Sequence, residues 1–125
     1  MDQRLINKVG FFGSATMPMY SPVWNDAFET AKILAENKFE IVDGGGPGIM
    51  KAASMGAKTV NGRVIGVTYY PTDVRHFEGR DPENKIDVEI KTDNYLERNM
   101  TILKEAECYI IFKGGTGTIS EFAMA

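Results

Sequence analysis

Short apolar runs and longer runs with helical spacing alternate along this chain. Lys8-Val9-Gly10-Phe11-Phe12-Gly13-Ser14 predicts a short buried strand ending in a turn of small residues. Ser21-Pro22 has the form of a helix start, a hydroxyl that can accept from early amides followed by a proline whose fixed φ suits the first helical position. From Val23 to Glu36, Trp24, Ala27, Phe28, Ala31, Leu34 and Ala35 recur at helical spacing, with Asn37 in the C-cap region. Phe39 to Val42 predicts a second strand, Ile49 to Lys58 a second helix rich in alanine and methionine, and Arg63 to Thr68 a third, β-branched strand. Tyr69 to Lys85 has prolines and charges without a period, the pattern of a long surface loop of the kind that covers a site. Ile86 to Ile90 alternates apolar and charged residues, as a half-exposed strand does. Asp93 is placed to cap a third helix from Asn94 to Ala106, with Leu96, Met100 and Leu103 on one face, and Cys108 to Phe112 predicts the last strand.

Strands alternating with helices predict βαβ units, and hence a parallel sheet with helices on both faces: a three-layer α/β/α domain spanning residues 1–125. In such sheets ligands bind beyond the carboxyl ends of the strands, where the winding direction switches. Three loops that follow strands are rich in glycine or small residues, Gly13-Ser14, Gly44 to Gly48 and Gly114 to Gly117, and this topology places all three on one rim. The last has the clearest chemistry. Ile110-Ile111-Phe112 runs into Lys113-Gly114-Gly115-Thr116-Gly117-Thr118, and a helix is predicted to open near Glu121. Glycines let the backbone approach a ligand, and the first amides of a helix are unpaired donors at its positive end, which suits an anion, most often phosphate. Thr116 and Thr118 add hydroxyl donors. Without a ligand the same pattern is a tight turn with a glutamate favouring the helix dipole.

Composition narrows the function. With 43% hydrophobic and 25% charged residues the chain reads as an ordinary globular domain. A net charge of −3, with lysines and arginines scattered, gives no electrostatic reason to expect nucleic acid. The single cysteine, Cys108, allows no internal disulfide and reads as a small buried hydrophobe. The N-terminal residues contain no long apolar stretch, so neither a signal peptide nor a membrane span is expected and the cytoplasm is the default location. Gly44 to Gly48 does not have the G-x-G-x-x-G spacing, the strand ending near Thr68 offers no acidic residue for a ribose, and no glycine-lysine-serine/threonine sequence occurs, so redox dinucleotides and Walker-type phosphoryl transfer both recede. No G-x-S-x-G elbow is present. His76 lies in a charged loop, and one histidine with one cysteine makes no metal site. What remains is a site of glycines, hydroxyls, carboxylates and Arg98, a residue that by itself reads as a solvated or salt-bridged surface arginine.

Gly44-Gly45-Gly46-Pro47-Gly48-Ile49-Met50 resembles the GGGxxGLM segment of the LONELY GUY-type phosphoribohydrolases, a family once thought to be lysine decarboxylases. Lys113 to Glu121 resembles their PGGxGTxxE signature, Glu97-Arg98 with Met100 their ERKxxM segment, and Phe12-Gly13-Ser14 their first-strand loop. The resemblance implies a Rossmann-like fold, usually dimeric or a higher homo-oligomer, without metal or redox cofactor. It implies hydrolysis of a nucleoside 5′-monophosphate such as AMP at its N-glycosidic bond, to free base and ribose 5-phosphate. On this chain Gly114, Gly115, Thr116, Gly117 and Thr118 would hold the 5′-phosphate, and Arg98 and Glu121 would match the catalytic pair. Gly13, Ser14, Gly44, Gly45, Gly46 and Glu78 would contact substrate. A carboxylate at Glu121 can stabilise the oxocarbenium character that develops on the sugar, while Arg98 can serve either the phosphate or the departing base. The sequence departs from the family pattern at Lys113, where the signature has proline, and at Asn99, where it has lysine. It also stops soon after Glu121, which reads as a truncation at the C-terminus. The alternative is a protein of the same fold that holds a nucleotide or phosphorylated cofactor without cleaving it, as a molybdenum cofactor carrier does.

Overall fold

The computed structural model describes residues 6–70 and 80–112. Five strands and three helices follow in the order β1 (Lys8–Phe12), α1 (Pro22–Glu36), β2 (Glu40–Asp43), α2 (Ile49–Lys58), β3 (Val64–Thr68), β4 (Val88–Lys91), α3 (Tyr95–Glu105) and β5 (Cys108–Ile111). All the strands pair in parallel, in the spatial order β4-β3-β2-β1-β5. Val9 stands between Ile41 and Cys108, and Gly10 between Val42 and Tyr109.

The alternation of side chains along each strand feeds two cores. On one face Val9, Phe11, Ile41 and Val64 pack with Ala31 and Ala35 of α1 and with Ala53 and Ala57 of α2. On the other, Phe12, Val42, Ile65 and Val67 pack with Ile102 and Ala106 at the end of α3. Helices therefore cover both faces, and the three central strands are apolar on both sides, as buried parallel strands are. The outer strands β4 and β5 are half-exposed. The Rossmann-like three-layer α/β/α architecture expected from the sequence is the one observed.

Local signals account for most boundaries. Ser21 caps α1, accepting from Trp24 N, with Pro22 at the first helical position. On α3 the cap is Asn94, not Asp93: the Asn94 side chain accepts from Glu97 N at 2.8 Å, since its own extended backbone is the one that turns into the helix. The face of α3 that turns inward also differs from expectation. Leu96 and Met100 are exposed, and Arg98, Asn99 and Ile102 are buried. Cys108 packs against the α1/α2 core but is only half-buried, because it lies on an edge strand. The end of the long β3–β4 connection is only partly on the surface: Arg80 and Asn84 brace the turn that follows β2 and Asn84 is fully buried, while Pro82, Glu83 and Lys85 are exposed.

Candidate functional site

In a parallel sheet every strand ends on the same rim, so the segments after β1, β2, β3 and β4 converge there. The winding reverses between β1 and β5, because β2, β3 and β4 extend the sheet to one side of β1 and the chain then returns to the other. Gly13 and Ser14 follow β1 at this switch point. Phe112 closes the described part of its neighbour, donating its N–H to Phe12 O at 2.9 Å. The turn Gly114, Gly115, Thr116, Gly117, Thr118 with Lys113 and Glu121, and the loop residues His76 and Glu78, lie outside the described residues.

Gly13 and Ser14 seat the start of α2. Ile49 N donates to Ser14 O at 3.0 Å, and Gly48, at φ 69°, lies so close that a side chain there would meet the same carbonyl oxygen at 2.2 Å. One of the amides that the N-terminus of α2 would otherwise offer to a ligand is thus used by the fold. Ser14 Oγ accepts from Thr16 N at 3.2 Å and shares a hydrogen bond with Thr16 Oγ1.

The turn after β2 is built around a buried carboxylate. Asp43 Oδ1 accepts from Gly45 N at 2.8 Å and Oδ2 accepts from Ser54 Oγ of α2, at zero exposure. Burial, which penalises the ionised form, pushes Asp43 up to about 6. The hydrogen bonds from Ser54, Gly45 and Asn84 and the charge of Arg98 act in the opposite direction. Gly44, Gly45 and Gly46 are themselves buried, braced from beneath by the returning loop. Arg80 Nη1 donates to Gly45 O and to Asn84 O, Asp81 N donates to Gly45 O, and Asn84 Nδ2 donates to Gly46 O at 2.8 Å.

Arg98 is the centre of the cluster. The sequence alone favours a surface arginine, yet its exposure is 1%. Its Nε donates to Asn99 Oδ1 at 2.9 Å, and Nη1 approaches Met50 Sδ at 3.6 Å. The guanidinium lies 5.4 Å from the Tyr69 ring centroid and 4.9 Å from that of Tyr95, cation–π distances to both. A side chain on Gly44 would meet Arg98 Nη1 at 2.6 Å, so the glycine is what lets the cation lie against the backbone of the turn. The structure therefore brings Arg98 together with Gly44, Gly45 and Gly46, while Gly13 and Ser14 lie at the root of α2.

Four residues of this cluster carry no sequence motif, Asp43, Tyr69, Asn84 and Tyr95, and a fifth, Asn99, stands where the ERKxxM pattern has lysine. Tyr95 and Asn99 flank Arg98 on its own helix, and Asp43 directly precedes Gly44, so their nearness was readable. Their roles were not, because Tyr69, Asn84 and Met50 reach Arg98 or the turn only through the crossing of the chain. Further out along the rim, Glu89 accepts from Thr68 Oγ1 at 2.7 Å and from Tyr70 OH, which holds its carboxyl below the usual glutamate range.

The family model of SLOG cluster4 matches residues 6–125. The chain belongs to the SLOG cluster4 family. That match supports the LONELY GUY-type resemblance at the level of the SLOG family. An uncharacterised protein of Archaeoglobus fulgidus is 31% identical over 99 residues, which are 79% of this chain and 61% of that protein. The chain thus spans about three-fifths of the curated relative it matches. Among solved structures, the molybdenum cofactor binding protein of Rippkaea orientalis is 26% identical with a TM-score of 0.70, covering 96% of this chain and 70% of its own. The Moco carrier protein of Chlamydomonas reinhardtii is 25% identical with the same TM-score and the same coverage. These structures share the Rossmann-like fold along almost the whole chain. No helix among the described residues is long and apolar enough to cross a membrane.

Proposed function

We propose that this chain binds a phosphorylated ligand, a nucleotide or a phosphorylated cofactor, at the carboxyl rim of its sheet, and holds it without cleaving it. The observation that carries this reading is the seat of Arg98, a buried guanidinium set beside the edge-to-face pair of Tyr69 and Tyr95 and laid against the backbone of Gly44. An arginine so fixed loses little further freedom when it meets an anion, which is the requirement for binding rather than for proton transfer. The likeness to two proteins named for the molybdenum cofactor supports the same reading. The described residues supply a cation, glycine backbone and aromatic rings, and among them no group of three His, Cys, Asp or Glu side chains is placed to hold a metal ion. The phosphate itself belongs, in this proposal, to Gly114 to Thr118. Homo-oligomeric assembly, which rests on the family resemblance, and a cytoplasmic location are part of the same proposal.

A second reading is N-glycosidic hydrolysis of a nucleoside 5′-monophosphate. The paired motifs favour it, since Arg98 and Glu121 together are more than pure binding requires. Glu121 would then stabilise positive charge on the sugar, and Arg98 the phosphate or the departing base.

Chromatography of a panel of nucleoside 5′-monophosphates incubated with the protein separates the two, with calorimetry on the same ligands. Binding of at least one ligand with no free base is the expected result. Base release by the intact protein that vanishes in Glu121→Ala would establish the hydrolase instead. Neither binding nor release, with molybdenum cofactor also failing to bind, would remove both readings.

A further inference from the structure

Asp43 belongs to none of the motifs above, yet it is the point where the parts of the rim are tied together. Its two oxygens are used in different directions, one on the amide of the glycine turn and one on α2 through Ser54. The next residue, Gly44, is the one whose missing side chain makes room for Arg98. Arg98 Nη1 lies against Gly44, the residue next to Asp43, and its positive charge favours the ionised Asp43 carboxyl. The groups that face Asp43 from the elements packed on it are Ser54 of α2, Arg98 of α3, and Asn84 of the returning loop; Arg80 lies beyond, on the carbonyl of Gly45. Arg98 is a charged group that favours the ionised form of this carboxyl.

We propose that Asp43 is a positioning residue of the ligand site, shaping the Gly44–Gly46 turn through its oxygens and drawing Arg98 onto that turn through its charge. The inference rests on the proposed binding of a phosphorylated ligand only for its effect on affinity; the link between Asp43 and Arg98 stands apart from it. The two contributions are separable by substitution. An asparagine can accept from Gly45 N with its oxygen and donate to Ser54 Oγ with its amide, so Asp43→Asn keeps the shape of the turn and removes the charge. Alanine removes both. The carboxyl titrates near the bottom of the physiological range, so its hold on Arg98 depends on pH.

The test has a ligand-free and a ligand-bound arm. In the ligand-free protein, the Arg98 Nε–H resonance, assigned with Arg98→Lys, should move between pH 5 and pH 7.5 in the wild type and stay still in Asp43→Asn. Movement in both, or in neither, overturns the proposal. In the second arm AMP is titrated calorimetrically. Asp43→Asn should bind about threefold to tenfold more weakly than the wild type at pH 7.5, and equally at pH 5, the scale of one screened charge interaction. Because the AMP phosphate also changes charge in this window, the same two proteins are titrated with inorganic sulfate, whose charge is constant, and the gap should change with pH in the same way. A gap that does not change with pH overturns the role of the charge. Asp43→Ala should lose more than about tenfold at both pH values, and wild-type binding by it would overturn the role of the oxygens. If AMP binds neither protein, the nucleotide reading fails while the resonance still decides the link between Asp43 and Arg98.

Discussion

Asp43 and Arg98 are charged side chains with almost no exposure, and different physics makes each tolerable. Arginine stays charged, so its burial is offset by two aromatic faces, an amide oxygen and the nearby carboxyl. An aspartate can instead give up its charge, and burial moves Asp43 from 3.8 to about 6. The consequence for stability has a definite sign. Because the folded-state value is raised, the folded protein binds this proton more readily than the unfolded chain. The contribution of Asp43 to stability is therefore fully present below about pH 4 and is lost as pH rises through 6. Two units correspond to about 3 kcal/mol. Asp87 and Glu89 are shifted the other way, so the raw pH profile mixes opposite slopes. The difference in urea unfolding free energy between wild type and Asp43→Asn isolates Asp43. It should move by about 3 kcal/mol against the wild type between pH 4 and pH 7.5. A difference that stays constant with pH would show that Asp43 does not titrate in this window.

At the scale of elements, α1 and α2 make the tightest pairing and α3 the most informative one. Gly56 of α2 sits against the backbone of α1, where an added methyl would meet Phe28 O at 2.1 Å. Gly56→Ala brings two opposed effects: up to about 1 kcal/mol gained in helix propensity and about 1–3 kcal/mol lost to overpacking. At that distance from a backbone atom the second wins. Thermal melting should show Gly56→Ala destabilised by about 1–2 kcal/mol, and an unchanged or raised Tm would mean that the helices separate at little cost. Both α1 and its sequence pattern agree, since Trp24, Ala27, Ala31 and Ala35 are the buried residues that helical spacing selects. On α3 the pattern misleads. Leu96 and Met100 have the right spacing for a core face, but the helix turns Arg98 and Asn99 inward because its amino-terminal half packs over the rim, where polar partners exist. Its carboxyl-terminal half, at Ile102 and Ala106, returns to the apolar core.

Over the whole molecule, the sheet order collects the loops after four strands around the reversal between β1 and β5. A ligand that binds there stabilises the folded state by mass action, about 2.7 kcal/mol at one hundred times its Kd. For a domain of this size that raises the Tm by several degrees, roughly 4–8 °C. On the proposed reading AMP should do so and adenosine should not, because the glycine turn and Arg98 would recognise the phosphate; equal shifts from both would contradict anion recognition at this rim. The parallel three-layer fold was legible in the sequence because hydrophobic periodicity is a local property: strands buried on both faces read as continuous apolar runs, and α1 and α2 show their inner faces directly. The turn at Gly44 to Gly48 was legible too, because no other residue tolerates the positive φ and close approach found at Gly48. What only the tertiary structure decided is which polar residues turn inward. Burial of Arg98, Asn99, Asn84 and Asp43 depends on partners brought from α2, from the β3–β4 connection and from the ends of other strands. A charged or amide side chain is exposed by default, and only the convergence of compensating groups in three dimensions makes its burial favourable.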